Sequence, residues 1–372
     1  MDALRGAGVQ VTVLFQGWFQ GIHEVMHLMS SLGDIRSAYL LYFPICYHLA
    51  PRVAARLVWA AVVGDWINMI LKWVISGQRP YWWVLETQYY GNAAPPHLNQ
   101  YPITCETGPG TPSGHAMGSA CVWYVMVTAA LESDLCTKRK PFSDHRRLCR
   151  VALWLLFWFV QINVCVSRVF VATHFPHQVI LGLLGGILVA EVFGRVRLIH
   201  GARLHAHAAL CALLLLVALF VHDGAARIAQ VDLDWSVALA RKRCARAEWV
   251  HVDTTPFAGL ARGLGALFGL GLGLHVRDRF VTGTSSEVGD EKEGEEEAER
   301  EPTSPAFQGC CIAASLLAVH VLEWIVPMPQ RAGGLFYFVA FCRSVLGPVA
   351  VVAATPYCVR MLVGPLAKMK GS

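Results

Sequence analysis

Charged residues are scarce in this chain. Only 15% of its 372 residues are Asp, Glu, Lys or Arg, whereas 55% are hydrophobic. A soluble protein carries about 25% charged residues, so two ordinary soluble domains are excluded, although the length would allow them. Apolar stretches of the roughly 17–25 residues that cross a bilayer recur along nearly the whole chain. The sequence therefore predicts an all-α, polytopic membrane protein.

Three other signatures are missing. The net charge is only +5 and no basic patch is interleaved with aromatic residues, which argues against nucleic acid as a partner. The twelve cysteines are scattered without CxxC spacing, which argues against a zinc site or a dense disulfide scaffold. Most of them are expected to be small core residues, and only Cys105 stands out, in a polar loop. No carboxylate or histidine motif has metal spacing, so neither a metal nor another cofactor is expected.

About nine transmembrane helices are predicted within a single integral membrane domain that covers residues 1–372. Because single-sequence boundaries are accurate only to several residues, the spans are given as approximate ranges: 30–48, 54–75, 114–131, 151–167, 177–193, 206–222, 256–275, 308–326 and 335–357.

Loop charges predict the orientation, since short cytoplasmic loops collect Lys and Arg. The segment 80–112 contains none, whereas the segment 132–150 contains six. The first loop is therefore predicted on the non-cytoplasmic side and the second in the cytoplasm. With nine spans, the N-terminus is non-cytoplasmic and the C-terminus cytoplasmic. One loop, 223–255, disagrees, because it carries five basic residues on the predicted non-cytoplasmic side.

Two cytoplasmic segments are predicted outside the helical bundle. The stretch 282–305 is rich in Ser, Gly and Glu, with nine acidic residues between Glu287 and Glu301. Their mutual repulsion predicts a disordered loop, either a solvated spacer or a regulatory element. The segment 358–372 is predicted to be a cytoplasmic tail. Its Lys368-Met369-Lys370-Gly371-Ser372 end resembles a Lys-x-Lys-x-x retrieval signal of endoplasmic reticulum membrane proteins.

The first candidate motif lies at the end of the second span. Lys72 and Arg79 are separated by seven positions, or about two helical turns, so they share one helix face. The Pro80 ring helps to end the helix there. The pair suits a phosphate, although a single Lys at this depth also reaches the lipid headgroups without any other role.

The second motif, Pro112-Ser113-Gly114-His115, leads into the third span. The first backbone N–H groups of a helix and its positive dipole end form an anion site. Gly114 permits close approach of a phosphate, Ser113 adds a hydroxyl donor, and His115 stands at the mouth. An ordinary Gly/Pro turn with an interfacial histidine is the alternative.

The third motif, Ser167-Arg168 followed by His174, lies between the fourth and fifth spans. The planar fork of Arg168 matches phosphate oxygens, and His174 can act as a nucleophile. Each motif has an ordinary structural explanation when taken alone. The predicted topology nevertheless places all three on one membrane face, where their cations and histidines are chemically complete for phosphoryl transfer.

The three motifs together resemble the superfamily of type 2 phosphatidic-acid phosphatases, and the whole chain resembles the glucose-6-phosphatase catalytic subunit family. Its pancreatic-islet branch is the most similar. The matching stretches are Gly64-Asp65-Trp66, Arg79–Val84, Cys105–Gly110, His174–Gln178 and Glu248–Phe257. The resemblance implies a phosphatidic-acid phosphatase type 2-like helical core and an active site in the lumen of the endoplasmic reticulum.

The resemblance also implies the roles of the site residues. His174 is the nucleophile that becomes a phosphohistidine, and His115 is the general acid and base. Phosphate is held by the side chains of Lys72, Arg79, Ser113 and Arg168 and by the amide of Gly114. The implied reaction is hydrolysis of D-glucose 6-phosphate to glucose and inorganic phosphate, in the service of glucose homeostasis. The implied partners are membrane lipids and a glucose 6-phosphate transporter.

Two departures and two alternatives accompany this resemblance. Many soluble superfamily members have an Asp four residues after the nucleophile, where it orients the ring. This chain has Gln178, which can accept a hydrogen bond from the ring but stabilises its protonated form less, so the orienting partner of His174 is left open. No Asn-x-Ser/Thr sequon occurs, and Asn92-Ala93-Ala94 stands where family members carry one, so the protein is expected to be unglycosylated. The alternative functions are a lipid phosphate phosphatase and a low-activity regulatory paralogue.

Overall fold

The computed structural model describes residues 1–133, 143–195, 202–229, 235–284, 304–329 and 333–369. Within these ranges the protein is helical and contains no β-strand, which confirms the predicted all-α class. The helices are α1 Asp2–Phe19, α2 His23–Gly33, α3 Ile35–Ser37, α4 Phe43–Leu49, α5 Pro51–Ile75, α6 Pro80–Glu86, α7 Gly114–Glu132, α8 Ser143–Phe170, α9 Pro176–Arg195, α10 Leu204–Ala229, α11 Trp235–Arg243, α12 Pro256–Thr284, α13 Pro305–Ile325, α14 Gly334–Val349 and α15 Thr355–Met369.

Among the described residues, eight helical segments are long and apolar enough to cross a membrane. They begin with α5, α7, α8, α9, α10, α12, α13 and α14, in agreement with eight of the predicted spans. The remaining predicted span, near 30–48, corresponds to α3 and α4, which a π-helical turn at Ala38–Tyr42 joins. This segment begins only at Asp34, whose side chain caps α3, and it is therefore too short to meet the same length criterion.

Two predicted segments fall largely outside the described residues. In the segment 282–305, α12 continues to Thr284 and α13 begins at Pro305, and residues 285–303 between them are not described. In the segment 358–372, α15 continues to Met369, so most of the predicted tail is helical. Lys370 and the last two residues lie outside the described part of the chain.

Helix α5 lies at the centre of the bundle. It packs against α7 on one side and against α12 on the other, while α7 pairs closely with α9 and α12 with α14. Small and apolar residues of α5, including Ala54, Leu57, Ala60 and Ala61, are fully buried in the largest core cluster. At the centre of the bundle, α5 therefore holds two helix pairs together, and its last turns carry Lys72.

Glycine sets the distance between α7 and α9. A Cβ atom added at Gly182 of α9 would lie 2.5 Å from the carbonyl oxygen of Ser113, and one added at Gly186 would lie 2.2 Å from that of Met117. Such contacts are too short for any other residue, so the two backbones touch directly. Because Ser113 caps α7, this close approach also fixes the start of α7.

We expect Gly182→Ala to lower both stability and phosphatase activity. The added methyl group would force α9 away from Ser113, and overpacking of this kind costs about 1–3 kcal/mol. Gly185→Ala is the matched control, because its Cβ would lie 3.5 Å from the nearest sulfur atom, an ordinary contact. Thermal unfolding in detergent and phosphate release test both variants. Equal behaviour of the two would contradict the proposed backbone contact.

Candidate active site

The structure brings all seven predicted site residues together at one end of the bundle. They come from the end of α5, the start of α6, the start of α7, the end of α8 and the loop before α9. The predicted shared helix face of Lys72 and Arg79 is wrong, because α5 ends at Ile75 and the chain turns at Ser76 before α6 begins. The residues are Lys72, Arg79, Ser113, Gly114, His115, Arg168 and His174. An eighth residue, Glu106, lies among them and contacts four of them.

Glu106 joins the two arginines. Nη1 of Arg79 donates to Oε2 of Glu106 at 2.8 Å, and Nη2 of Arg168 donates to Oε1. Both arginine side chains are almost completely buried. Burial disfavours the ionised carboxylate, but the charges of Arg168 and Arg79 hold the pKa of Glu106 well below its ordinary value. Glu106 is therefore a carboxylate that keeps two like charges close together.

A second polar loop holds Glu106 in place. The backbone N–H of His251 donates to the carbonyl of Cys105 at 3.0 Å, and Glu106 itself pairs with His251 as an isolated β-bridge. A disulfide joins Cys105 to Cys244. The sequence singled out Cys105 but predicted no partner for it, since disulfide pairing depends on the folded positions of distant loops. The loop before α12 thus forms part of the site.

His174 is fully buried and its tautomer is defined by its neighbours. Nδ1 lies 2.9 Å from the carbonyl oxygen of Gly110, which can only accept, so Nδ1 carries the proton. Nε2 lies 3.3 Å from Nη1 of Arg79, which can only donate. Burial, together with the charge of Arg79, lowers the pKa of His174 to about 3. The ring is therefore neutral at physiological pH, and its lone pair points from Nε2 into the cation cluster.

Gln178 does not hydrogen-bond to the His174 ring, whose orienting partner the sequence left open. Its Oε1 accepts from the backbone N–H of Phe175 at 3.1 Å, and its Nε2 donates to the carbonyl of Gln78 and to the hydroxyl of Thr111. The backbone carbonyl of Gly110 accepts from the ring instead. The spacing suggested an orienting role, but the uncharged amide fastens the loops on both sides of the site.

His115 lies between two carboxylates at the start of α7. Its Nδ1 is 3.6 Å from Oε1 of Glu106, and its Nε2 is 4.0 Å from Oδ2 of Asp34. Oδ2 of Asp34 also accepts a hydrogen bond from Nη2 of Arg36 at 2.7 Å. Burial opposes ionisation of Asp34, but the charges of Arg36 and His115 keep its pKa below the usual range. A protonated His115 would therefore face a negative charge at each ring nitrogen.

Lys72 completes the cluster beside the first turn of α7. A Cβ atom added at Gly114 would lie 3.8 Å from Nζ of Lys72 and 3.3 Å from Oδ1 of Asn68. A methyl group there would be tight against Asn68 and in ordinary contact with Lys72, so the Gly114 backbone lies directly beside both side chains. Asn68, one turn before Lys72, donates to the carbonyl of Pro112 at 3.2 Å and fastens the turn to α5. The hydroxyl of Ser113 accepts from the Ala116 N–H and caps α7, while its own proton remains free to donate.

Comparison with known proteins identifies the family. The PAP2 superfamily model matches residues 53–200, which contain all seven predicted site residues. Glucose-6-phosphatase 2 of Mus musculus is 44% identical over 98% of both chains. The chain belongs to the glucose-6-phosphatase family. It is a multi-pass membrane phosphatase, as the sequence predicted.

Other relatives in the glucose-6-phosphatase family match as completely. Glucose-6-phosphatase 2 of Homo sapiens is 44% identical over 97% of this chain and 98% of its own. Glucose-6-phosphatase catalytic subunit 1 of Bos taurus is 43% identical over 98% of this chain and 97% of its own. The predicted likeness to the islet paralogue is confirmed in that glucose-6-phosphatase 2 is among the most similar relatives. No solved structure matches the chain.

Sequence reasoning overlooked three polar residues of this glucose-6-phosphatase family site. Glu106 lies within a matching stretch and is one of only two acidic residues in the cation-free segment 80–112, but no motif gives it a role. Asp34 lies inside a predicted span, and Asn68 inside a predicted apolar helix. A polar residue within an apolar segment was the available signal, because it marks a functional position by default.

The site's charges suit a phosphate monoester. Lys72, Arg79 and Arg168 supply three positive charges and Glu106 removes one, which leaves two to match a phosphate dianion. The neutral Nε2 of His174 points toward these groups, and His115 lies on the other side of Glu106. Among the described residues no cluster of His, Cys, Asp or Glu has the arrangement of a metal site. The arrangement provides an anion site, a nucleophile and a proton carrier.

We expect Glu106→Gln to destabilise the protein and to lower phosphate release at least a hundredfold. The two buried guanidinium groups would then repel each other, and breaking a buried pair costs about 3–5 kcal/mol. Glu86→Gln is a matched control, because Glu86 also contacts two cations, Lys242 and Arg243, but at the protein surface. Thermal unfolding and phosphate release are the measurements. An equally small effect of both substitutions would show that the Glu106 bridge is dispensable.

Proposed function

We propose that this protein hydrolyses D-glucose 6-phosphate to glucose and inorganic phosphate in the lumen of the endoplasmic reticulum. The observation that carries the proposal is the convergence of Lys72, Arg79 and Arg168 with two histidines at one end of the bundle. The family supports the substrate, since relatives matching almost the whole chain are named glucose-6-phosphatase. The reaction serves glucose production and glucose homeostasis.

The first step transfers the phosphoryl group to His174. The Nε2 lone pair attacks phosphorus, the bond between phosphorus and O6 of glucose breaks, and His115 gives its proton to O6. The three cations stabilise the charge on the equatorial oxygens, and the Gly114 amide and Ser113 hydroxyl add hydrogen bonds. A neutral His174 favours this step, because a protonated ring has no lone pair to offer at Nε2.

The second step releases phosphate. His115, now neutral, takes a proton from water, whose oxygen attacks phosphorus as the bond to Nε2 breaks. The carbonyl of Gly110 keeps the His174 ring in the same tautomer through both steps. Asp34 and Glu106 supply negative charge beside His115 whenever its ring is protonated. Both steps use residues of the cluster alone.

The lumenal orientation is supported by chemistry as well as by loop charges. The Cys105–Cys244 disulfide joins the loop 80–112 to the loop 223–255, so both lie on one side of the bundle despite the basic residues of the second. Disulfides persist in oxidising compartments such as the lumen of the endoplasmic reticulum. A sugar phosphate does not cross a bilayer unaided, so the proposal requires a separate glucose 6-phosphate transporter. The proposed cytoplasmic Lys-x-Lys-x-x tail would retain the protein in this membrane.

The two histidines should be separable by trapping the intermediate. In His115→Ala the phosphoenzyme should form from an ester with a good leaving group and then persist, because water lacks its general base. In His174→Ala no phosphoenzyme should form. The measurement is radioactive phosphate bound to protein, in an acid-labile and base-stable linkage, after brief incubation with labelled substrate.

The accompanying assay compares phosphate release from glucose 6-phosphate and from phosphatidate. Wild-type protein should favour the sugar ester, and the His174→Ala protein gives the background. Glucose 6-phosphate hydrolysis no faster than this background would refute the proposed function. Faster release from phosphatidate would support the lipid phosphatase alternative instead.

The orientation can be tested by creating a glycosylation site. Ala94→Ser completes a sequon at Asn92, which is exposed in the loop proposed to face the lumen. The variant should migrate more slowly than wild type on gel electrophoresis, and an N-glycan-removing enzyme should abolish the difference. The wild-type protein, which lacks a sequon, should show no shift. An unmodified variant in microsomal membranes would contradict a lumenal loop.

A further inference from the structure

A cavity of about 260 Å³ lies beside the candidate active site, on the far side of Asp34. It is enclosed by the start of the α3 segment, the loop before α12, and helices α12, α13 and α14. Its volume is a little below the roughly 300–1,000 Å³ of sites for drug-sized ligands. It therefore suits a molecule of monosaccharide size.

The cavity carries donors and acceptors within an apolar frame. Five charged side chains line it, of which three are arginines and two are acids: Arg36, Arg262, Arg343, Asp253 and Glu323. Leucine, alanine, valine and phenylalanine side chains form much of the remaining wall. An acyl chain would desolvate these charges without replacing their hydrogen bonds. A polyol, in contrast, offers a hydroxyl to each of them.

Two polar atoms of the lining residues lack hydrogen-bond partners within the described structure. They are the hydroxyl of Tyr39 and Nε of Arg262, both buried. Terminal nitrogens of two lining arginines are already paired. Nη1 of Arg262 donates to the carbonyl of Asp253, and Nη2 of Arg343 pairs with Glu323 at 2.7 Å. Buried donors and acceptors are usually paired. Neither atom is accessible from the cavity as it stands, so a ligand would pair with them only after the Tyr39 or Arg262 side chain shifts toward it.

The cavity and the catalytic cluster share one ion pair. Oδ2 of Asp34 lies 4.0 Å from Nε2 of His115 and also accepts from Arg36, whose Nη1 reaches Asp253 at 3.0 Å in the cavity wall. In the proposed mechanism His115 protonates the leaving oxygen of the substrate. No residue of the catalytic cluster lines the cavity. A sugar attached to that oxygen would therefore reach the cavity by passing the Asp34–Arg36 pair.

The cavity and the catalytic cluster are formed by different parts of the sequence. The PAP2 superfamily match covers residues 53–200 and contains the seven phosphate-site residues, whereas every residue lining the cavity lies outside it. The relatives named glucose-6-phosphatase match almost the entire chain. The chemistry thus belongs to the part shared with the superfamily, and the cavity belongs to the part shared with the sugar phosphatases.

We propose that this cavity receives the hexose of the substrate and that Tyr39, Arg262 and the α14 wall determine selectivity for a sugar ester. The inference rests on the proposed function and deepens it. It assigns substrate choice to residues that take no part in the chemistry. Phosphate esters without a sugar should therefore use the catalytic cluster but gain nothing from the cavity.

A cavity-filling substitution tests this proposal. A Cβ atom added at Gly347, which lines the cavity, would meet nothing within 4 Å. Side chains on a helix lean toward its N-terminus, so a phenylalanine there would extend toward Arg343. Gly309→Phe is the matched control, because Gly309 also has open space around it but is exposed on α13 and outside the cavity.

The measurement is the ratio of kcat/KM for glucose 6-phosphate to that for p-nitrophenyl phosphate. Gly347→Phe should lower this ratio at least tenfold, Tyr39→Phe should lower it several-fold, and Gly309→Phe should leave it unchanged. The milder Tyr39→Phe keeps the test valid if the larger substitution impairs folding. An unchanged ratio in Gly347→Phe and Tyr39→Phe would overturn the proposal, even if both activities fell together.

Inhibition by free products gives a second readout that does not depend on glucose 6-phosphate hydrolysis. Glucose should inhibit wild-type hydrolysis of p-nitrophenyl phosphate, and Gly347→Phe should weaken this inhibition at least tenfold while inhibition by inorganic phosphate persists. Failure of the proposed function would appear in the wild-type protein, as no glucose 6-phosphate hydrolysis above His174→Ala. Failure of the cavity proposal would appear as glucose inhibition that is absent from wild type or equal in the variant.

Discussion

The buried bridge from Arg79 through Glu106 to Arg168 is the interaction on which the site depends. Two guanidinium groups in a poorly hydrated interior repel each other strongly, and Glu106 makes their proximity possible. The same carboxylate joins three segments that are distant in sequence. The arrangement also has a cost, because an incoming phosphate must compete with Glu106 for the same donors. Glu106 therefore sets the balance between a preorganised site and an accessible one.

This requirement explains why the second half of the chain contributes to the site. Glu106 lies in a loop without regular structure, and such a loop alone would not fix a carboxylate against two cations. The Cys105–Cys244 disulfide and the pairing with His251 supply that support from the loop before α12. The catalytic cluster thus depends on residues beyond the PAP2 match at 53–200.

Local patterns predicted the helices and the seven residues that converge in the candidate site, because hydropathy and motif spacing act within a few helical turns. The same patterns did not identify the group that orients His174, because a backbone carbonyl does so while the amide of Gln178 fastens two loops. They also missed the partner of Cys105 and the role of Asp34. Those features depend on contacts between distant segments, which no pattern in a single sequence specifies.

In the proposed mechanism, the position of Asp34 would link the shape of the substrate to its chemistry. Its carboxylate faces His115 on one side and Arg36 on the other, and Arg36 reaches the cavity wall at Asp253. A sugar that engaged Arg36 or Asp253 as proposed would change the charge that His115 experiences, by an amount that solvent reduces because the Arg36 side chain is 44% exposed. Binding energy from the hexose would then act on the proton carrier as well as on affinity. Selectivity for a sugar ester should therefore be expressed in kcat as well as in KM, as expected when remote binding energy is used in the transition state.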